Sequence, residues 1–309
     1  MTFAVAFVEQ LLHIALVLAA APTLSGIIRW ARARLVGRSG PPILQPWRDL
    51  ARLLGKQPVM AESASELSAV APLVAAAAVA TAAMLVPSFT LGMTLAQFAD
   101  LLTIAGLLIL ARTAIALAGM DAGSAAGGIG ASRTMVAASL SEPALVLAIF
   151  ALALLAGSSN LDIIAAMQQD SGLGWHTGAG LALAATALVV IVDRADRPVS
   201  ATVPIALEFS GRDMAVIEAT EALRLLVWLN LIIAMFLPFG IAPAGAGLTE
   251  LGRGLVCWVA KLLALGGAIA LVQVAAGGLA PRHVSHVLGA AVLLGLLAVV
   301  FLFAGVGAV

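Results

Sequence analysis

Three residues in the stretch AVIEATEALRLLVWL (215–229) carry the chemistry that stands out first. Glu218 and Glu221 are three apart, and Arg224 follows three further on. On a helix that spacing puts all three on one stripe, while Leu225, Leu226 and Trp228 supply apolar faces. Two carboxylates this close share protons and titrate as a pair. Beside an arginine they form an acid–acid–base ladder that can pass a proton to a neighbour through water. The same ladder can equally be a buried salt-bridge network, Glu221 with Arg224, that fixes helix packing. Glu142 stands alone in SLSEPALVLAIF (139–150), followed by Pro143, which suits a first helical turn or a kink. Lys261 and Arg112 also fall inside apolar stretches. Lys261 is deep and expected to be paired; Arg112 lies near a helix end and is expected to snorkel. Charged groups inside a membrane are costly and usually functional, so Glu142, Glu218, Glu221, Arg224 and Lys261 form the candidate proton path.

Other polar groups carry less. Glu9 and His13 share a face at i, i+4 and read as polar packing on the protein side. His283 and His286 have no carboxylate or thiol close in sequence, which disfavours a metal site. The single Cys257 can form neither an internal disulfide nor a cysteine-ligated iron–sulfur cluster. Any redox centre therefore sits on another chain. The run GMDAGSAAGGIGAS (119–132) has a loose glycine pattern without a preceding strand. It fails the context a nucleotide-binding loop requires and reads as a flexible loop between spans.

The elements that must position these residues follow from composition. The chain has 309 residues, of which 62% are hydrophobic and 10% charged, with zero formal net charge. A soluble domain carries about 25% charged residues, so a soluble enzyme is excluded. The zero net charge supplies no field for nucleic acid. A spanning helix needs roughly 20 apolar residues, and eight stretches qualify, near 3–28, 67–88, 97–119, 134–157, 177–194, 215–238, 254–276 and 284–306. The runs are continuous rather than alternating, so the fold class is an all-α integral membrane protein in one polytopic domain, 1–309. No basic leader or small-x-small cleavage site precedes the first span, which reads as retained. Of the 16 basic residues, twelve lie in the odd-numbered loops, and the opposite loops carry only Arg253. The basic loops are therefore expected in the cytoplasm, with both termini outside a bacterial plasma membrane. After the turn at Gly40-Pro41-Pro42, Leu44, Trp47, Leu50, Leu53 and Leu54 recur at helical spacing, with Arg48, Asp49, Arg52 and Lys56 opposite. This predicts an amphipathic helix over 44–56 lying on the membrane surface, as a simple anchor or as a docking element.

Three segments in this order, GRSGPPILQPWRDLARLLGK (37–56), ASRTMVAASLSEPALVL (131–147) and DRADRPVSATVPIALEFSGRDMAVIEATEALRLLVW (193–228), carry a resemblance. Together they resemble the quinone-site membrane subunit of respiratory complex I. More closely, they resemble its homologue in formate hydrogenlyase and hydrogenase-4-type membrane-bound NiFe hydrogenases. The match runs along essentially the whole chain and keeps eight helices. The resemblance implies a non-catalytic subunit that docks a hydrophilic redox arm and begins a chain of buried charges leading to antiporter-like membrane subunits. It implies partners in a NiFe-type large subunit and iron–sulfur subunits, as well as the bilayer itself. By position, Glu142, Glu218 and Glu221 match the family's membrane acids. Glu208 and Asp213 match its acidic positions around the Ser210-Gly211 turn, an acidic mouth on the cytoplasmic side. Arg38, Gln45, Arg48, Asp49, Arg52 and Lys56 fall in or beside the docking element. Complex I members carry acids in the fifth loop, where this chain has RPVSATVP (197–204). That argues against a quinone site, and no cofactor is expected on this chain. Gln273 stands where hydrogenase-type members are expected to have an acid. The alternatives are the quinone-binding subunit of a respiratory dehydrogenase and a stand-alone secondary transporter. The latter predicts inverted repeats, which the sequence lacks.

Overall fold

The computed structural model describes residues 3–61, 63–170, 177–195, 205–275 and 281–306. The long helices follow the apolar runs: α1 Phe3–Leu35, α3 Glu66–Leu85, α4 Leu101–Asp121, α5 Ala125–Ala156, α7 Thr177–Ala195, α8 Gly211–Phe236, α9 Leu248–Ala275 and α10 Pro281–Val306. Two shorter helices are α2 Gln45–Leu54 and α6 Leu161–Asp170. Seven helices are long and apolar enough to cross a membrane, and within α7 Gly178–Asp193 is a shorter apolar one. Together they account for the eight predicted spans, and the chain is a multi-pass membrane protein.

α8 is the central helix, with 94% of its most apolar window buried. It packs against α1, α2, α3, α6, α7 and α9, while α10 covers α5 and α7 and α3 lies on α4. Alanines make this closeness possible: Ala75, Ala82, Ala116, Ala144 and Ala148 are fully buried, so helix backbones approach through small side chains. Leucines, valines and phenylalanines such as Leu73, Phe150, Leu293, Phe301 and Phe303 are exposed on the outer surface of the bundle, where lipid replaces water.

Two expectations change. Residues 125–132 are not a flexible loop: Ser124 accepts from the Gly127 amide and caps α5, which starts at Ala125. The only turn left between α4 and α5 is 122–124, with Gly123 at φ +66°. The expected loop 158–176 also contains a helix, α6. Asn160 begins it by accepting from the Asp162 and Ile163 amides.

The face opposite the basic loops is closed by backbone pairing. The Leu91 amide donates to Ala242 O, and the Ala242 amide donates to Phe89 O, each at 2.9 Å. Leu101 N donates to Ser159 O and Leu161 N to Ala99 O. Gln169 Nε2 adds bonds to Pro238 O and Ile241 O. Three connections are thus stitched into one seam.

On the basic face, α2 lies across α1 and the start of α8. Trp47 Nε1 donates to Thr23 Oγ1 and Arg212 Nε donates to Leu54 O, the end of α2. Gly211 makes the approach possible. It sits at φ +55°, and a Cβ there would lie 2.4 Å from Gln57 O.

Candidate functional site: a buried charge cluster

Four helices deliver charge to one place in the middle of the bundle. The helical period alone puts Glu221 beside Arg224, and Arg224 NH2 lies 3.2 Å from Glu221 Oε2. The third partner comes from α7: Asp193 Oδ1 accepts from Arg224 NH2 at 3.0 Å and from Arg112 NH2 at 3.3 Å. Arg112 arrives from the middle of α4, and its NH1 donates to Ser141 Oγ of α5 at 2.6 Å. The four side chains of the ion pairs are 7–13% exposed. One carboxylate therefore serves two guanidiniums, and a second carboxylate serves one of them. Among the described residues the ion pairs join two arginines to two acids, and pairing of this kind offsets the cost of burying charge.

Glu142, next to Ser141, lines a cavity together with Arg112, Arg224 and Trp228. The structure thus brings Glu142, Glu221 and Arg224 to one site. Glu218 is half-buried one turn earlier on α8. Arg112 does not snorkel: a buried aspartate and a buried serine on facing helices hold it inside the bundle. Lys261 is paired, as expected, but elsewhere. Its Nζ donates to Leu237 O at 2.6 Å and to Phe239 O, and lies 4.2 Å from the centre of the Phe239 ring. Leu237 is sixteen residues beyond Glu221, about 24 Å along a helix. Lys261 closes the carbonyl end of α8 rather than joining the glutamates.

The remaining residues take these places. Glu208 Oε1 accepts a hydrogen bond from Ser124 Oγ, tying the segment before α8 to the start of α5. Asp213 is half-buried in the first turn of α8. On α2, Gln45 Nε2 and Arg52 NH2 both donate to Asp49 Oδ1 at 3.1 Å. Arg38, Arg48, Arg52 and Lys56 are exposed. Glu9 and His13 are buried. His13 Nε2 bonds to Ala83 O at 3.0 Å and its Nδ1 to Ser88 Oγ at 2.7 Å. A carbonyl only accepts, so Nε2 carries a proton and donates it to Ala83. Gln273 is half-buried near the end of α9, and His283 and His286 are exposed on α10. Among the described residues no group of three potential metal ligands forms. The stretch 197–204 lies outside the described residues.

Asp193 and Arg112 are the cluster members that sequence reasoning missed or misplaced. Asp193 opens the third quoted segment, and an acid closing an apolar run was the available signal.

The family model described as "NADH dehydrogenase" matches residues 8–304. Over 230 residues the chain is 35% identical to formate hydrogenlyase subunit 4 of Escherichia coli (strain K12), covering 72% of this chain and 75% of that protein. It is 33% identical over 231 residues to hydrogenase-4 component C of the same organism, covering 72% of each. Among solved structures it is similar to a chain of the membrane-bound sulfane sulfur reductase, an archaeal respiratory membrane complex. The TM-score is 0.78 at 22% identity, covering 96% of this chain and 99% of that one. At that identity the likeness is one of fold.

Proposed function

The chain belongs to the NADH dehydrogenase family, and on that premise we propose that it is the membrane subunit of a hydrogenase-type complex, of the formate hydrogenlyase kind, which couples redox chemistry on partner chains to proton movement. The relatives that carry this reading are subunits of formate hydrogenlyase and hydrogenase-4. The observation that carries the proton role is the cluster Arg112–Asp193–Arg224–Glu221, with Glu142 on the same cavity, inside spanning helices. A group of this kind exchanges protons by re-pairing: when one acid is protonated, its arginine turns to the other. Glu208 and Asp213 form the acidic mouth that leads toward it.

The surface of α2 and its end, with Arg48, Asp49, Arg52 and Lys56, docks a NiFe-type large subunit and its iron–sulfur partners. Antiporter-like subunits continue the charge chain beyond this one. The setting is a bacterial inner membrane, with the basic face in the cytoplasm and both termini periplasmic. The acid-free stretch 197–204 supports a chain without a quinone of its own.

The decisive experiment compares Glu221→Gln with the double variant Glu221→Gln, Arg224→Gln in the intact complex. The single change leaves two guanidiniums on one aspartate. The double change leaves Arg112 and Asp193 as a neutral pair and separates charge balance from proton transfer. The double variant is expected to assemble and to reduce an artificial electron acceptor normally, while proton-coupled turnover stays low. Full coupled turnover in the assembled double variant overturns the proton role. Docking is checked separately. Arg48→Ala with Asp49→Ala is expected to release the hydrophilic partners and leave this chain in the membrane. An intact purified complex reduces α2 to an anchor. A reporter fused after α10 is expected to be active only in its periplasmic form.

A further inference from the structure

Two buried tryptophans on adjacent helices are treated differently. Trp258 on α9 is 3% exposed, and its Nε1 donates to Asn230 Oδ1 at 2.9 Å. Trp228 on α8 is 2% exposed, and its Nε1–H meets no acceptor among the described residues. Buried indole N–H groups ordinarily find one, and leaving a buried donor unmet is costly. One turn before it, Arg224 repeats the pattern. Its NH2 is engaged by Asp193 and Glu221, but its buried Nε–H has no partner among the described residues.

Both residues line the cavity that also touches Arg112, Ser141 and Glu142. The cavity leaves about 10 Å³ open to the centre of a water molecule, which is room for one and far below the space an organic ligand needs. The rest of its wall is aliphatic: Leu108, Ile109, Leu145 and Val189. Ser141 Oγ is already occupied by Arg112. Glu142 is the carboxylate on this wall.

We propose that the cavity is a binding site for a single water molecule, held by Trp228 Nε1–H and Arg224 Nε–H, which ties Glu142 to Arg224. The chemistry matches on both sides. Two residues that line this space each carry an N–H without a partner among the described residues, and a water oxygen offers two lone pairs. The water then presents its own protons, one of them to the Glu142 carboxylate. Trp228 is thereby a positioning residue: it fixes the water, and the water fixes the distance across which Glu142 and Arg224 sense each other's charge. The inference rests on Glu142 belonging to the proton route.

The test has a structural arm and a kinetic arm, both on the intact complex in lipid nanodiscs. At a resolution where ordered waters are visible, wild type is expected to show one density within hydrogen-bond distance of Trp228 Nε1 and Arg224 Nε. Trp228→Phe keeps the ring and removes the donor. It is expected to lose that density and roughly tenfold of proton-coupled turnover, as small misplacements in proton-transfer geometry do. Reduction of an artificial acceptor is expected to be unchanged. In a Glu142→Gln background the same change is expected to add nothing, because both act on one step. A dry cavity in wild type overturns the inference, whether or not the Trp228 variant assembles. So does an additive loss in the Glu142→Gln background, which is what a packing role gives. If Glu142→Gln and Glu221→Gln both leave coupled turnover intact, the proton route itself fails, and the density still decides the water.

Discussion

The cluster at the centre of the bundle and the seam on the face opposite the basic loops both bury polar groups, by opposite means. The seam uses backbone. Phe89, Leu91 and Ala242 exchange main-chain bonds, as do Ala99, Leu101, Ser159 and Leu161. Such pairs have one good arrangement and no net charge, so they close a surface and keep it closed. The cluster uses side chains from four helices. Asp193 is shared by Arg112 and Arg224, and Glu221 competes for Arg224. Such groups have more than one good pairing, and the buried Trp228 Nε1–H and Arg224 Nε–H have no partner among the described residues. A sealed face beside a re-pairable centre is what a subunit needs if protons enter from one side and are not to leak out of the other.

The largest effect is expected at the shared carboxylate. Asp193→Asn leaves two buried guanidiniums against one acid, a loss of about 3–5 kcal/mol for a broken buried pair. The complex is expected to fail to assemble, measured by its yield from solubilised membranes. Adding Arg112→Gln is expected to restore part of that yield by restoring charge balance. If Asp193→Asn assembles normally, the cluster is not the electrostatic centre. Ser141→Ala removes the hydroxyl that meets Arg112 at 2.6 Å. A hydrogen bond to a charged group is worth about 1.5–3 kcal/mol, so thermal stability falls while the fold is kept.

A comparable loss at the seam is expected to look different in function. A Cβ on Gly254 would sit 2.4 Å from Phe89 O, against main chain that cannot yield. Gly254→Ala is expected to cost about 1–3 kcal/mol, as overpacking does. Turnover per assembled complex is expected to stay normal. A coupling defect at equal assembly would mean that the seam takes part in the proton path.

The smallest effect is a pH dependence at the seam. Burial pushes the Asp162 carboxyl above the usual aspartate range, partly offset by the Gly92 amide that donates to it at 2.7 Å. Asp100 is also desolvated, but hydrogen bonds from Ser159, Thr103 and Leu102 outweigh that, and its carboxyl is held below the usual range. The two signs oppose. Between the unfolded and folded values of Asp162, the folded state holds a proton that the unfolded state has lost, so its contribution falls as pH rises through that window. Asp100 contributes stability above its unfolded value and loses it as pH falls toward the folded one. Asp162→Asn keeps an acceptor for Gly92 and removes the titration. It is expected to raise the melting temperature slightly at neutral pH and not under mild acid. An equal rise at both pH values would assign the effect to packing.

Features within one helix were legible from the residues. The 3.6-residue period places Glu221 beside Arg224 and Glu9 on the face of His13, and it separates the apolar and charged sides of α2. Hydrophobic runs mark the spans because a lipid core demands them, whatever the helices touch. Tertiary structure decided what crosses between helices. Arg112 and Asp193 lie eighty-one positions apart, and only the depth and rotation of α4 and α7 bring them to 3.3 Å. Lys261 looked like a member of the charge path, but the register of α9 against α8 carries it to the carbonyls of Leu237 and Phe239. Residues 125–132 looked like a loop because glycine has low helix propensity; capping by Ser124 and packing against α4 overrode it. Spacing along a chain fixes which residues share a helix face. Which faces meet is set by how all the helices pack at once, and no single segment contains that information.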